Sequence, residues 1–335
     1  MYLLGTSEDC LKKNIVLNNG VVMPKVGLGT FLIPNENLSR TIAEAYEMGY
    51  RQFDTAWRYH NESEIAKAFK NNGIKRENVF ITTKVNADAL YKGGIQYGLK
   101  GLIQMKTKSI EDAIEESFRN LDTDYVDLFL VHWPWHVYRE MYKILTKFYN
   151  EGRIRAIGVC SCLPPHLEAL REVSDIVPAV NQFEISPLNT QKELIRYCEE
   201  KKIAVEAMST FSHFRSLEPR KEIIEHPVLV QIAQKYNKSV VQVVLRWLLQ
   251  QNIITIAKTW NPEHLKENIS IFDFELTNED MVIIDGLDQG KFLNYNPYMA
   301  TKGLPLKYKK WSGFSDPNNV PEWFANRSWI KKLLF

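Results

Sequence analysis

The sequence predicts a (β/α)8 barrel with an N-terminal β-hairpin cap and a long aromatic-rich C-terminal tail. Three observations carry that prediction. Strand-like and helix-like patterns alternate eight times in one unbroken series. The strand runs are apolar along their length, as parallel strands covered on both faces are. And the G-x-G-x-x-G turn that an open doubly wound sheet places after its first strand is not completed, because "GLGTF" has no third glycine.

The elements follow in order. "NIVLNNGVVMP" (14–24) alternates around Asn-Gly, which predicts a hairpin with a two-residue turn, placed as a plug in the N-terminal mouth of the barrel. "KVGLGTF" (25–31) leads into "NLSRTIAEAYEMG", whose Ile42, Ala45 and Met48 keep helical spacing. "YRQFD" (50–54) leads into "ESEIAKAFKNNG", where Gly73 supplies the stop. "VFITTK" (79–84) reaches "SIEDAIEESFRNL" only after an insertion over 86–108. "YVDLFLVHW" (125–133) precedes "YREMYKILTKFYNEG", "IRAIGVC" (154–160) precedes "PHLEALREV", and "AVNQFEI" (179–185) precedes "QKELIRYCEEK". "IAVEAMS" (203–209) precedes a long helical region ending in "VVQVVLRWLLQQ", and "IITIAK" (253–258) precedes "NPEHLKENI". These units make one domain over 1–335 with its core at about 14–288; residues 289–335 form an extension rich in Trp, Tyr, Pro and Gly, expected to pack on or near the barrel mouth.

Composition narrows the function. The 335 residues carry 45% apolar and 24% charged side chains, an ordinary globular balance, and a formal charge of +2 gives no electrostatic case for nucleic acid or a membrane surface. No run approaches the roughly 20 apolar residues of a bilayer span, and the start "MYLLGTSEDCLKKNIVL" is broken by acids and lysines. Four cysteines, Cys10, Cys160, Cys162 and Cys198, predict reduced thiols and a cytoplasmic address. Cys160 and Cys162 lack the second pair that a zinc site needs, so no metal is expected.

In a barrel of this type the C-terminal ends of the strands carry the chemistry. Here those ends are Gly29-Thr30, Asp54, Lys84, His132, Cys160-Ser161, Gln182, Met208-Ser209 and Lys258-Thr259. Asp, Lys and His are unusual ends for buried strands, and they fall on three consecutive units. Adjacent strands lie about 5 Å apart, so Asp54 and Lys84 can pair. Tyr59 follows Asp54 by five residues, on the loop between strand and helix. A phenol ordinarily ionises near 10, and a neighbouring ammonium is expected to lower that value. His132 adds a hydrogen-bond donor where a carbonyl oxygen would become an alkoxide. Taken singly, Asp54 reads as a helix N-cap, Lys84 as a solvated strand end and His132 as a core histidine. Together the four make a proton donor with an oxyanion site, suited to carbonyl reduction with hydride from elsewhere.

At these residues the chain resembles the aldo-keto reductase superfamily over about 14–288. "LGTF", "FDTAWRYHNE", "ITTKV", "DYVDLFLVHWP", "GRIRAIGV", "VNQFE" and "IAKTWNPEHLKENISIFDFEL" stand in the family's order. The resemblance implies the same barrel, a nicotinamide cofactor extended over its C-terminal mouth, reduction of an aldehyde or ketone to an alcohol, and catalytic roles for Asp54, Tyr59, Lys84 and His132, with Tyr59 as general acid. It implies cofactor contacts from Gly29, Thr30, Phe31, Asp54, Cys160, Ser161, Gln182, Met208, Ser209, Phe211, Lys258, Thr259, His264, Glu267 and Asn268, and substrate contacts from Phe31, Arg58 and Trp133. The partner implied is a small carbonyl compound, bound by a monomer or weak homo-oligomer. A barrel that keeps its cofactor site for binding or regulation, without chemistry, is the alternative.

Three departures bear on that picture. The family's Ser-Asn after "IGV" is Cys160-Ser161 here, which weakens the grip on a nicotinamide carboxamide. Its ring-stacking aromatic is Met208, which can lie against the ring without π-stacking. In the family's K-S-x-x-x-x-R-x-x-E-N segment the arginine is His264, so the planar partner for a 2′-phosphate is lost while Lys258 and Thr259 remain. NADP(H) is the expected cofactor, with NAD(H) as the secondary one. Trp57, Trp133 and Trp135 are expected to line the pocket with Phe31, and Arg58 either meets an anionic group on the substrate or turns outward toward Glu62.

Overall fold

The computed structural model describes residues 12–87, 109–135, 137–211 and 218–293. Most of the insertion over 86–108, the tail from residue 294 onward and Cys10 lie outside these residues. Two short strands, β1 (Asn14–Val16) and β2 (Val22–Pro24), pair antiparallel. Eight more then close a parallel barrel: β3 (Val26–Gly29), β4 (Gln52–Asp54), β5 (Phe80–Val85), β6 (Val126–Val131), β7 (Ile154–Cys160), β8 (Val180–Glu184), β9 (Ala204–Met208) and β10 (Ile254–Ala257). Each strand pairs with the next, and β10 returns to β3 through Thr255–Val26 and Ile256–Gly27. The expected fold is therefore present; six of the eight strands are shorter than the apolar runs suggest, β7 coincides with its run, and β5 is shifted one residue onward.

The helices alternate with the strands: α1 (Asn35–Glu47), α2 (Glu62–Asn71), α3 (Ile110–Asn120), α4 (Tyr138–Asn150), α5 (Pro164–Leu170), α6 (Lys192–Glu200), α7 (Glu218–Ile224), α8 (Pro227–Tyr236), α9 (Val240–Gln250), α10 (Pro262–Ile269) and α11 (Asn278–Asp285). The long helical region after β9 is thus three helices. In α4, Tyr138, Met141, Tyr142, Leu145 and Phe148 recur at the three- and four-residue spacing that gathers one face toward the sheet, and all are buried. Local chemistry agrees at the starts of α3 and α9, where Ser109–Asp112 and Ser239–Gln242 form reciprocal capping boxes. Among the described residues no helix is long and apolar enough to cross a membrane.

Alternation along the strands divides the interior into two cores. One parity, with Phe53, Ile81, Val85, Phe129, Val131, Ile157 and Val159, faces outward under the helices. The other faces the lumen, where Phe80, Leu128, Leu130, Ala156, Val180 and Ile254 pack with Leu17 and Met23 of the hairpin. The hairpin thus plugs the barrel floor, and Asn18 and Asn19 tie its tip to the carbonyls of Pro178 and Arg155. Its loop corrects the expectation of a two-residue turn. Gly20 N–H donates to Leu17 O and Leu17 N–H to Val21 O, which makes a three-residue loop with Gly20 at φ +85°, where glycine alone is unstrained. Gly158 allows β7 to approach β8: a Cβ there would lie 2.5 Å from the Val180 carbonyl.

Candidate active site

Register places the strand-end residues together. Gln52 and Asp54, then Lys84, Cys160, Gln182, Glu206 and Met208, all sit on the lumen-facing parity, and His132 continues that parity just beyond β6. Asp54 and Lys84 meet in full burial. Lys84 Nζ donates to Asp54 Oδ1 and Oδ2 at 2.6 Å each and to the Thr55 carbonyl at 2.9 Å, so all three ammonium protons have acceptors. Lys84 is 0% and Asp54 5% exposed. A charge pair this deep is stable only when completed by such hydrogen bonds.

Tyr59 is held beside that pair by a short 3-10 turn, Trp57–Tyr59, closed by His60 in a left-handed conformation at φ +54°. Asn61 clamps the loop. It accepts from Thr55 Oγ1 at 2.6 Å and donates to the Thr30 carbonyl at 3.1 Å, while Thr30 Oγ1 donates to the Asp54 carbonyl at 2.9 Å. Glu62, at the start of α2, is buried and accepts from Thr83 Oγ1 at 2.6 Å and Asn120 Nδ2 at 3.3 Å. Asn61 and Glu62 are the framework of the tyrosine loop. Sequence reasoning gave neither a part in the site, although two polar residues at a helix start just after the tyrosine were the available signal.

Lys84 Nζ lies 5.3 Å from the centre of the Tyr59 ring. Burial drives the phenol upward, and the Lys84 charge and hydrogen bond work against it, leaving the value raised to about 12. This corrects the expectation of a lowered phenol: the ammonium acts in the expected sense, but desolvation outweighs it. Burial also works against the Lys84 ammonium, yet the Asp54 charge prevails, and the lysine's pKa is raised. The arrangement keeps the proton on Tyr59 and the charge on Lys84 at neutral pH.

The aromatic wall of the mouth runs on from the tyrosine. Phe31 packs on Tyr59 with centroids 4.7 Å apart, and His132 meets its edge at 5.8 Å. Trp133 stacks on His132 at 5.7 Å and Trp135 on Trp133 at 6.5 Å. Trp57 donates to Glu116 Oε2 at 2.7 Å. Arg58 is half-buried on the same turn as Tyr59.

Across the lumen, Gln182 Nε2 donates to Asp54 Oδ2 at 3.0 Å and to Glu206 Oε2 at 2.7 Å, and Gln52 Nε2 donates to Glu206 Oε1 at 2.5 Å. Cys160 Sγ lies 3.7 Å from Gln182 Oε1. Burial and the nearby Asp54 charge raise Glu206 to about 7. Gln52 and Glu206 escaped the sequence reading because neither stands at the C-terminal end of its strand, the place searched for chemistry; a charged residue within the apolar run "IAVEAMS" was the signal.

At the other side of the mouth, Ser161 and Ser209 turn the chain at the ends of β7 and β9 with φ of +52° and +56°. Met208, Ser209 and Phe211 are half-buried, and Thr259 is buried. Lys258 is exposed, its Nζ 4.7 Å from the centre of the Trp260 ring. His264 stands exposed in the first turn of α10, with Glu267 half-buried and Asn268 buried one turn on. At Gly29 a Cβ would lie 3.0 Å from Ile256 Cγ2, so the strand end is kept bare.

The sequence matches the model of the Aldo/keto reductase family over residues 25–289. The chain belongs to that family. It is 40% identical to the glyoxal reductase of Bacillus subtilis (strain 168) over 290 residues, covering 86% of this chain and 97% of that protein. It is 35% identical to the methylglyoxal reductase DkgA of Escherichia coli (strain K12) over 286 residues, covering 84% of this chain and 96% of the other. Among solved structures, an aspartate-to-alanine mutant of Gox0644 in complex with NADPH superposes with a TM-score of 0.72 at 31% identity, covering 85% of this chain and 97% of that one.

Proposed function

We propose that this aldo-keto reductase reduces small aldehydes or ketones to alcohols with NADP(H), Tyr59 acting as the general acid. The observation that carries the reading is the buried Asp54–Lys84 pair set against the Tyr59 ring. A barrel kept only for binding or regulation has no physical use for so costly a pair.

The residues present fit a nicotinamide dinucleotide. Gln182 and Ser161 offer an acceptor and a donor for a carboxamide, Met208 and Phe211 a partly exposed apolar surface, and Lys258 with Thr259 a cation and a hydroxyl for a phosphate. Bound NADPH would supply the hydride equivalent that the carbonyl carbon receives. The chain's part is the proton. The phenol O–H of Tyr59 passes its proton to the carbonyl oxygen, and the O–H bond breaks as the alcohol O–H forms. The charge left on the phenolate is met by the Lys84 ammonium, which Asp54 and the Thr55 carbonyl hold in place. His132, edge-on to Tyr59, stands where the reacting oxygen can be given a second hydrogen bond. The aromatic wall formed by Phe31, Trp133 and Trp135 excludes water from that oxygen.

The activity of two relatives on glyoxal and methylglyoxal makes small α-oxoaldehydes the first substrates to try. NADPH oxidation in the presence of glyoxal, methylglyoxal and a panel of aromatic and sugar aldehydes tests the reading. Turnover with at least one of them is expected. Tight NADPH binding with no turnover on any carbonyl would favour the non-catalytic alternative instead.

A further inference from the structure

Glu206 is a carboxylate with 0% exposure inside the barrel, and its two described hydrogen bonds come from amides, not from a cation. A carboxylate in such a place accepts and cannot donate when ionised. Asp54, held ionised by Lys84, can only accept, and so can ionised Glu206; the Gln182 amide accordingly turns its nitrogen to both, Glu206 at 2.7 Å and Asp54 at 3.0 Å. The other end of the amide, the carbonyl Oε1, is left on the β7 side beside Cys160, whose pairing partner across the strands is Gln182 itself.

Asp54 alone would hold the amide nitrogen weakly, because its two oxygens already accept from Lys84. Glu206 supplies the shorter bond. Gln52 fixes Glu206 in turn, in a space left by Gly27, where a Cβ would lie 2.8 Å from Gln52 Cδ. The four polar side chains form one chain of contacts: Gln52, Glu206, Gln182, Asp54.

We infer that Glu206 is a positioning residue that locks the Gln182 amide so that its carbonyl, and not its NH2, is presented to the cofactor's carboxamide. The inference rests on the nicotinamide reading of the site given above. A carbonyl acceptor is complementary to the NH2 of the carboxamide; a flipped amide would set NH2 against NH2. With the carboxamide grip thinned by Cys160 and Ser161, the orientation of this one side chain carries more of the recognition than it would beside a stronger neighbour.

The test compares dissociation constants, read from the quenching of protein fluorescence, for NADP+ and for its 3-acetylpyridine analogue, which lacks the carboxamide NH2. The natural protein is expected to prefer NADP+ by about five- to tenfold, the worth of one hydrogen bond. Glu206→Met should bring that ratio close to one, while a merely structural loss would weaken both ligands alike. Glu206→Gln should keep the preference, since a glutamine carbonyl can still accept from Gln182, and its NH2 can meet Gln52 once the Gln52 amide turns over to offer Oε1, a buried oxygen without a hydrogen-bond partner among the described residues, in place of Nε2. An undiminished ratio in folded Glu206→Met overturns the inference. Should that variant fail to fold, a neutron structure of the natural protein with NADP+, in which the amide deuterons are seen, decides: Gln182 Oε1 on the carboxamide nitrogen supports the inference, and Nε2 there overturns it. Failure of the natural protein to bind either ligand would instead overturn the cofactor reading, and the inference with it.

Discussion

Lys84 Nζ stands 2.6 Å from both carboxylate oxygens of Asp54, and neither residue has more than a trace of contact with solvent. The two come from neighbouring strands whose register sets Asp54 beside Thr82, two residues before Lys84 on the same face. Such a pair contributes little to stability for its desolvation cost, so its value lies in what it does to Tyr59. It fixes a positive charge next to a phenol that burial keeps protonated, its pKa raised to about 12 even with the ammonium beside it.

Tyr59→Phe should abolish carbonyl reduction while leaving cofactor affinity nearly intact. The phenol proton is the one the proposed reaction transfers, whereas the proposed cofactor contacts lie chiefly on β7 to β10. Loss of a general acid costs about 10²–10⁴-fold in rate. Steady-state turnover and NADPH titration of the same preparation check this, and near-normal turnover would remove Tyr59 from the role.

Lys84→Met should damage both stability and activity, by separable routes. It strands the buried Asp54 carboxylate, which costs about 3–5 kcal/mol when one partner of such a pair is removed. Adding Asp54→Asn removes the stranded charge, so the double variant should regain much of the stability in urea titrations. Activity should stay lost, because nothing then stabilises the tyrosine anion. A double variant with restored turnover would show that the pair serves only the fold.

Glu206 should make stability fall as pH rises through the range about 4.5 to 7. Its ordinary value is 4.5, and in the folded chain burial and the Asp54 charge raise it to about 7. The folded protein thus holds the proton where the unfolded chain releases it. The stabilisation is complete below about 4.5 and is lost as pH passes about 7, with a slope of at most about 1.4 kcal/mol per pH unit. The ionisable groups acting on this site are Asp54 on β4, Lys84 on β5 and Cys160 on β7. Urea midpoints across that range should slope in the natural protein and flatten in Glu206→Gln; parallel slopes would place the titration elsewhere.

Much of this arrangement is legible without coordinates, and the illegible part has a physical reason. Asp54, Lys84 and His132 stand out because charged or titratable residues close apolar strand runs. The eight units likewise follow from composition and spacing alone. The balance at Tyr59 does not, since it depends on how completely the loop is buried, and burial outweighed the neighbouring ammonium. Gln52 and Glu206 lie two residues before the C-terminal ends of their strands, where polar side chains read as incidental until the parity of the lumen is known. The hairpin loop differs by one residue because Gly20, and not Asn19 with it, takes the left-handed conformation.

His264→Arg should tighten NADPH binding and leave NADH unchanged. His264 is exposed on the first turn of α10, six residues beyond Lys258, whose ammonium lies near the Trp260 ring. A lysine and a threonine hydroxyl can hold a 2′-phosphate as a point charge and one donor. An imidazole lacks the two parallel N–H groups that match phosphate oxygens. A guanidinium there adds a charge-assisted contact worth about 1.5–3 kcal/mol, or roughly ten- to a hundredfold in affinity for the phosphorylated cofactor. NADH has no 2′-phosphate to receive it. The new contact should also be sensitive to salt, because an exposed phosphate–guanidinium pair is screened by ions. Titration of both cofactors at low and high ionic strength reads all of this at once. Equal gains for NADPH and NADH would mean that His264 does not lie near the 2′-phosphate.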